Sequence, residues 1–295
     1  MSESPNYRII EILKMSTEYL EKKGIENPRL NVELLLGHVL KLSRVQLYLN
    51  FEKPLAPSEL DQFREFLKRR AGHEPIQYIL GEVEFYSLKL KVNRSTLIPR
   101  PETEILVDTV IEQYKKNFDQ QKTVEILDIG TGSGNIAIAL AKNINDAHIA
   151  AIDIQKEALD IARQNADFHQ VCQKINFIKQ DIFAENTELA SKYHIIVSNP
   201  PYISRAEFEH LPLEVKNYEP YIALDGGEGG LTFHRRLVEL SKKLLLPYGF
   251  VAIEIGAFQS DNVYQVFFNS DSFQEIEIIN DLNGLSRVLL AKKMI

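Results

Sequence analysis

A single cysteine, Cys172, stands in 295 residues, so the chain has no internal disulfide, no cysteine metal cluster and a composition that fits a reducing compartment. Without a partner, Cys172 reads as a small buried or half-buried hydrophobe. Long apolar runs are missing too. Met1 to Leu20 is broken by Glu3, Arg8, Glu11, Lys14 and Glu18, which leaves no apolar core for a signal peptide, and no later run is long enough to span a bilayer. The expectation is a cytoplasmic protein with no membrane partner. Repeats and low-complexity segments are absent, and so is a surplus of basic charge. The net charge is -7, and it is unevenly spread: residues 1–96 carry 15 Lys and Arg against 13 Asp and Glu, the remainder 19 against 28. Affinity for a phosphate backbone comes from basic groups that displace counterions, so the acidic remainder argues against DNA or RNA as substrate. What is present is 44% hydrophobic and 25% charged, enough for a sizeable core at a length that suits two domains.

From Tyr7 to about Arg70, apolar residues recur at helical spacing: Ile9, Ile12, Leu13 and Leu20, then Leu30, Leu34, Leu35 and Val39, then Leu60, Phe63, Phe66 and Leu67. Gly24, Asn27-Pro28 and Pro54 with Pro57-Ser58 punctuate them, which predicts a small helical bundle over residues 1–76. Over Tyr78 to Val92 the period shortens toward two, as in a hairpin, which predicts a linker over 77–96. From Leu97 onward strands alternate with helices. Strands are predicted at 124–129, 147–152, 175–179, 195–198 and 250–255, and helices at 101–116, 135–142, 155–168 and 231–245. Such alternation over 97–295 implies an α/β domain with an open, mostly parallel sheet whose ligands sit at the carboxyl ends of the strands. Two further strands at 275–279 and 287–291, joined by Asn283-Gly284, read as an antiparallel closing pair.

Asp128-Ile129-Gly130-Thr131-Gly132-Ser133-Gly134-Asn135 leaves the first of these strands and opens a helix. Glycines let a backbone turn tightly and approach a ligand, although a tight turn without a ligand has the same look. Asn135 stands where the dinucleotide fingerprint has its third glycine, and no Walker lysine follows, so nicotinamide and nucleoside triphosphates lose ground. Asp153 ends the next strand, where a carboxylate accepts from two ribose hydroxyls or caps the following helix. Asp181 ends the third strand in the same relative place, with Ile182 and Phe183 positioned to flank a flat base, though Asp after a strand is also ordinary turn chemistry. Three strand ends therefore aim at one nucleoside.

The most specific signal is Ser198-Asn199-Pro200-Pro201-Tyr202 at the end of the fourth strand. Each proline fixes its own φ and extends the residue before it, so the loop is stiff. Proline also removes backbone donors and leaves a rim of acceptors, the Asn199 side-chain oxygen and the Pro200 carbonyl, which can hold both hydrogens of a planar NH2. An amide nitrogen is a poor nucleophile because its lone pair is shared with its carbonyl, so orienting it is the main task of a catalyst. Tyr202 is expected to pack against the flat amide and wall off water. A rigid turn without chemistry is the plainer reading of these four residues. Arg100, Glu102 and Glu104 open the helix behind Pro101, where the turn either lids the donor pocket or only places acids that satisfy the helix dipole. Glu254 ends the fifth strand, where it either faces the pocket or is an ordinary polar strand end, and it is not expected to act as a base. Lys68-Arg69-Arg70 with His73 ends an N-terminal helix, complementing its dipole or, less plainly, forming a patch for an acidic partner. His194 reads as a surface or half-buried side chain.

With these residues in place, the chain resembles the release factor glutamine methyltransferase family, also called the HemK family, over nearly its whole length. Thr96 to Glu104, the Asp128 to Asn135 loop, the Asn199 to Tyr202 tetrapeptide, Tyr218-Glu219-Pro220 with the glycine-rich stretch to Leu231, and Asp281 to Val288 carry the likeness. The tetrapeptide alone is shared with adenine and cytosine amino methyltransferases, and the flanking segments decide. The resemblance implies a Rossmann-like class I methyltransferase sheet and a helical N-terminal domain that recognises the protein substrate. It implies S-adenosylmethionine as donor, the glutamine of a Gly-Gly-Gln loop in peptide chain release factors 1 and 2 as acceptor, and a monomeric protein-glutamine N5-methyltransferase that needs no metal. Gly130, Thr131, Gly132, Ser133, Gly134, Asp153, Asp181, Ile182 and Asn199 would line the donor site, and Asn199, Pro200, Pro201 and Tyr202 would hold the acceptor. His194 and Ile182 depart from the family pattern, which usually has an acidic residue at the first position and in some members an aromatic ring at the second. Methylation of a ribosomal-protein glutamine, methylation of a nucleic-acid amino group, and a noncatalytic binding module are the alternatives.

Overall fold

The computed structural model describes residues 7–184, 189 and 192–294. The chain runs through α1 (Ile9–Lys22), α2 (Pro28–Leu40), α3 (Arg44–Leu49), α4 (Pro57–Ala71) and α5 (Ile76–Leu80) into a hairpin of β1 (Glu82–Phe85) and β2 (Leu88–Lys91). There follow α6 (Thr103–Asn117), β3 (Val124–Ile129), α7 (Asn135–Asn143), β4 (Ala147–Asp153), α8 (Lys156–Phe168), β5 (Ile175–Lys179) and β6 (Tyr193–Ser198). The last elements are α9 (Arg205–Phe208), α10 (Leu213–Tyr218), α11 (Thr232–Leu244), β7 (Leu245–Glu254), α12 (Ser260–Phe268), β8 (Phe273–Asn280) and β9 (Ser286–Lys293). They gather into two compact units, one ending at Gly81 and joined by Pro212–Tyr218, the other Glu82–Leu211 with Glu219–Ile295. Among the described residues, no helix is long and apolar enough to cross a membrane.

In the first unit, Ile9, Leu13, Leu20, Val32, Leu35, Leu36, Leu47 and Phe63 form one buried cluster. Helix starts are set locally. Ser43 and Gln46 cap α3 reciprocally, with Ser43 N donating to Gln46 Oε1 at 2.8 Å, and Pro57 supplies the fixed φ of the first turn of α4. Two of the cations at the end of α4, Arg69 and Arg70, have partners inside the unit. Arg69 grips Glu74 through two 2.9 Å bonds, and buried Arg70 donates to Asn31 Oδ1 at 2.7 Å and pairs with Glu214 of α10 at 2.8 Å. Ile76–Leu80 is helical, so the hairpin begins at Glu82 and not at Tyr78 as the alternation suggests. Both Tyr78 and Ile79 are buried, Ile79 in the core of the bundle, and tertiary packing overrides local period there.

In the second unit, a seven-stranded sheet has the order β5-β4-β3-β6-β7-β9-β8. β3 pairs in parallel with β4 and β6, β7 runs parallel to β6, and β9 lies antiparallel to both β7 and β8. The expected closing pair is present, with Gly284 at φ +78 in its turn. One face of the sheet is covered by α6 and α7, whose Leu106, Val107, Val110, Ile138 and Leu140 are fully buried, and the other by α11 and α12 with Leu237, Val263 and Phe267. Helix α12, which periodicity did not announce, supplies the Val263 and Phe267 of that second layer. The hairpin is held by an amide acting as a strand: Lys91 N donates to Asn165 Oδ1 at 2.7 Å and Asn165 Nδ2 donates to Lys91 O at 3.0 Å. Chain order reverses at β3, because β4 and β5 extend to one side and β6 returns to the other. That reversal opens a crevice at the carboxyl ends of the strands. Cys172 is exposed, contrary to the sequence expectation, because it begins a 3-10 turn joining α8 to β5 on the surface.

Candidate functional site

A cavity of about 280 Å³ occupies that crevice. Its walls come from the ends of four parallel strands: Ile129 and Gly130 after β3, Ile152 and Asp153 of β4, Asp181 and Ile182 after β5, and Ser198 to Pro201 after β6. Leu97, Ile222, Phe233 and Leu237 complete it.

The glycine loop meets the cavity with backbone. Gly130 (φ +74) and Gly132 (φ +55) line it, and a Cβ on Gly132 would meet no protein atom within 4 Å. The other three loop residues face away. Thr131 is buried and donates its hydroxyl to Asp128 Oδ2 at 2.7 Å, Ser133 is buried, and Gly134 brings α7 against α8. A Cβ on Gly134 would stand 3.1 Å from both Ala162 Cβ and Ile138 Cδ1, and φ is +83. Burial lifts the Asp128 carboxyl to about 7.

Asp153 is braced to the same loop, its Oδ2 accepting from Gly132 N and its Oδ1 from Gln155 N, both at 2.9 Å. Burial raises its pKa while the backbone donors lower it, and the first effect is larger. Asp153 thus lines the cavity and, with the same side chain, holds the backbone at Gln155 ahead of the next helix. Asp181 Oδ1 accepts from Phe183 N at 2.8 Å. Phe183 meets Phe233 edge-on at 5.2 Å, so an aromatic wall stands next to Ile182.

The tetrapeptide loop is fastened from below. Ser198 Oγ donates to Ile129 O at 2.8 Å, joining the ends of β3 and β6. Asn199 Nδ2 donates to Thr103 Oγ1 at 3.1 Å, and Thr103 Oγ1 donates to Glu254 Oε2 at 2.6 Å. Tyr202 does not line the cavity; its hydroxyl donates to Glu254 Oε1 at 3.2 Å. The backbone of Tyr202 is held as well, by Gln259 Nε2 donating to its carbonyl at 2.8 Å and by Gly226, whose Cβ would come within 2.7 Å of it. Glu254, Thr103 and Ser198, the polar residues that fasten this loop, were not assigned to the site from the sequence. Their only signal was position, at a strand end or in a helix first turn, which polar residues occupy for ordinary reasons.

Several candidates lie elsewhere. Arg100 does not line the cavity and pairs with Glu219 at 2.5 Å. Glu104 Oε1 accepts from Tyr86 N at 2.7 Å, tying α6 to the hairpin turn. His194, half-buried near the start of β6, accepts through Nδ1 from Glu125 N at 3.0 Å, and burial pushes its pKa down.

A family model described as the PrmC N-terminal domain matches residues 11–81, and one described as the Methyltransferase small domain matches residues 103–211. Over 292 residues the chain is 38% identical to a release factor glutamine methyltransferase of Chlorobaculum tepidum, with 98% of each chain covered. A release factor glutamine methyltransferase of Geobacter sulfurreducens is 39% identical over 290 residues, again with 98% of each covered. Among solved structures, the hMettl16 catalytic domain in complex with the MAT2A 3'UTR hairpin 6 aligns with a TM-score of 0.56 at 17% identity, covering 77% of this chain and 81% of that one, a likeness of fold alone.

Proposed function

The chain belongs to the release factor glutamine methyltransferase family, and from that membership we propose that it methylates the side-chain amide nitrogen, N5, of the glutamine in the Gly-Gly-Gln motif of peptide chain release factors, with S-adenosylmethionine as donor. The observation that carries the reading is a shared wall: Asn199, Pro200 and Pro201 border the same cavity as Gly130, Gly132 and Asp153.

The donor side has the features of a nucleoside site. Gly130 and Gly132 leave room for close approach, Asp153 offers lone pairs beyond its two backbone bonds, and Ile152, Ile182 and Phe183 make an apolar slot for a flat base. Bound there, S-adenosylmethionine supplies a methyl group activated by its sulfonium charge. Thr131, Ser133 and Gly134 support this wall from behind.

On the acceptor side, Asn199 Oδ1 and Pro200 O accept the two hydrogens of the glutamine NH2. With both N–H bonds held, the nitrogen lone pair points along one direction, and pyramidalisation at nitrogen strengthens the same bonds, so the gain is larger in the transition state than before it. Pro200 and Pro201 keep the rim in shape before the substrate arrives, so little ordering is left for the moment of reaction. Tyr202, tied to Glu254, backs the loop. On gaining the methyl the nitrogen gives up one of its two hydrogens as a proton to water, so the positive charge brought by the donor leaves with that proton, and orientation rather than a charged base does the work.

In this reading, the helical segment 1–76 recognises the release factor, 77–96 links it, and 97–295 is the catalytic domain. Release factors 1 and 2 are the substrates, the enzyme is a monomer in the cytoplasm, and neither nucleic acid nor membrane takes part. The test is mass spectrometry of a release factor incubated with the protein and S-adenosylmethionine. One added methyl on the Gly-Gly-Gln glutamine is expected. No gain there, with transfer instead to a ribosomal protein or to RNA or DNA, would overturn the assignment.

A further inference from the structure

We propose that Glu254, acting through Thr103, is a positioning residue that decides which atom of the Asn199 amide faces the acceptor. This rests on the function proposed above and adds to it the origin of the orientation.

The hydrogens available fix the direction of this chain of bonds. Thr103 Oγ1 has one, and the carboxylate oxygen of Glu254 stands 2.6 Å away, so that hydrogen goes to Glu254. Only lone pairs remain on Thr103 Oγ1. The Asn199 atom 3.1 Å from it must therefore be the donor Nδ2, and Oδ1 is left as the acceptor on the opposite side. The order donor–hydroxyl–carboxylate has one direction, and the ionised carboxylate sets it. A proton added to Glu254 Oε2 reverses it. The carboxyl then donates to Thr103, the Thr103 hydrogen turns toward Asn199, the amide flips, and the cavity is offered an NH2 where it needs an oxygen.

A buried carboxylate is costly unless its oxygens are satisfied, and both hydrogen-bond donors to Glu254 belong to the site. Glu254 itself is 2% exposed and does not line the cavity, so it acts on Asn199 and Tyr202 and not on substrate. Its surroundings come from every element packed on it. Thr103 and Glu102 stand at the start of α6, and Tyr202, with Arg100 acting on it, lies on the loop after β6. Arg287 approaches from β9, and His234 of α11 is fully buried with its pKa pushed down to about 4, hence neutral. Burial is the largest influence and raises the Glu254 carboxyl to about 7, against the hydrogen bonds and Arg287, which lower it. The switch thus falls near neutral pH.

The test is steady-state kinetics on a release factor from pH 5.5 to 8.5, with Thr103→Val, Thr103→Ser and Glu254→Gln beside the wild type. Thr103→Val should lower kcat by roughly 100-fold, as expected for a misplaced near-attack group, with KM for the release factor moving less. Thr103→Ser keeps the hydroxyl and should recover most of the rate. The wild-type kcat should fall as pH drops below about 7, and that acid limb should be missing in Glu254→Gln. Isothermal titration with S-adenosylmethionine shows whether Thr103→Val still assembles the donor site; where it does not, the Ser variant and the Glu254→Gln profile decide. A Thr103→Val kcat within about twofold of wild type, or an unchanged acid limb in Glu254→Gln, overturns the proposal. A wild-type chain that transfers no methyl to a release factor overturns the function itself, a separate outcome.

Discussion

The loop after β3 and the loop after β6 border one cavity, yet the first shapes it with backbone and the second with side chains. Gly130 and Gly132 present main chain, while the polar side chains that follow each of them, Thr131 and Ser133, are buried behind. Asn199 presents an amide, and its orientation is set by Thr103, 96 residues away in sequence, which is in turn set by Glu254, a further 151 away. A surface made of main chain needs only the residues that permit its φ angles. One made of an oriented side chain needs partners, and partners are assembled by the fold.

The sharpest way to break this contrast is Asn199→Ala. If the acceptor half works through one side-chain oxygen, turnover should fall roughly 100- to 1000-fold, the range for losing one preorganised partner of a developing transition state. The thermal melt should stay at the wild-type value. Full turnover in a folded Asn199→Ala variant would mean the side chain is not what the loop contributes.

The next effect separates two glycines of the other loop. Gly134→Ala forces a Cβ to 3.1 Å from Ala162 and Ile138 at φ +83, so unfolding free energy should drop by about 1–3 kcal/mol in a denaturant titration. Gly132→Ala has open space, so its stability loss should be about 1 kcal/mol, from φ alone, while S-adenosylmethionine affinity falls about tenfold because the methyl enters the cavity. The reverse pattern would place the donor-facing part of the loop at Gly134.

These contrasts explain what could be read from the sequence. The strands at Val124–Ile129 and Ile175–Lys179 match prediction to the residue, because buried parallel strands are short apolar runs with turn residues at their ends. The glycine loop and tetrapeptide were legible because their constraints are local. Thr103 was hidden in a helix first turn, and Glu254 read as an ordinary polar strand end; nothing in either neighbourhood says that they touch. Tyr202 was expected at the cavity, but a phenol hydroxyl beside a buried carboxylate turns toward it. Helix α12 was missed because its nine residues bury only Val263 and Phe267, too few to set a period.

Stability against pH gives a smaller, directional test. Burial lifts Asp128 and Glu254 to about 7, from ordinary values of 3.8 and 4.5. Between those limits the folded chain holds protons that the unfolded chain has released, so its unfolding free energy falls as pH rises through the window and levels off above it. Glu254→Gln should make that slope shallower, with Asp128 and Asp153, both raised by burial, keeping the rest. An equal change in unfolding free energy between pH 5 and 7.5 for wild type and Glu254→Gln, from urea titrations at each pH, would show that Glu254 is not held protonated in the fold. The smallest effect belongs to Cys172, exposed on a turn away from both loops: Cys172→Ser should change stability by less than about 0.5 kcal/mol and leave kcat alone.

The most direct measurement is a crystal structure of the protein with S-adenosylhomocysteine and a Gly-Gly-Gln peptide. The glutamine side-chain nitrogen should lie about 3 Å from Asn199 Oδ1 and from Pro200 O, with Asn199 Nδ2 still on Thr103. A glutamine bound through its carbonyl to Asn199 Nδ2, with the nitrogen turned to solvent, would contradict it.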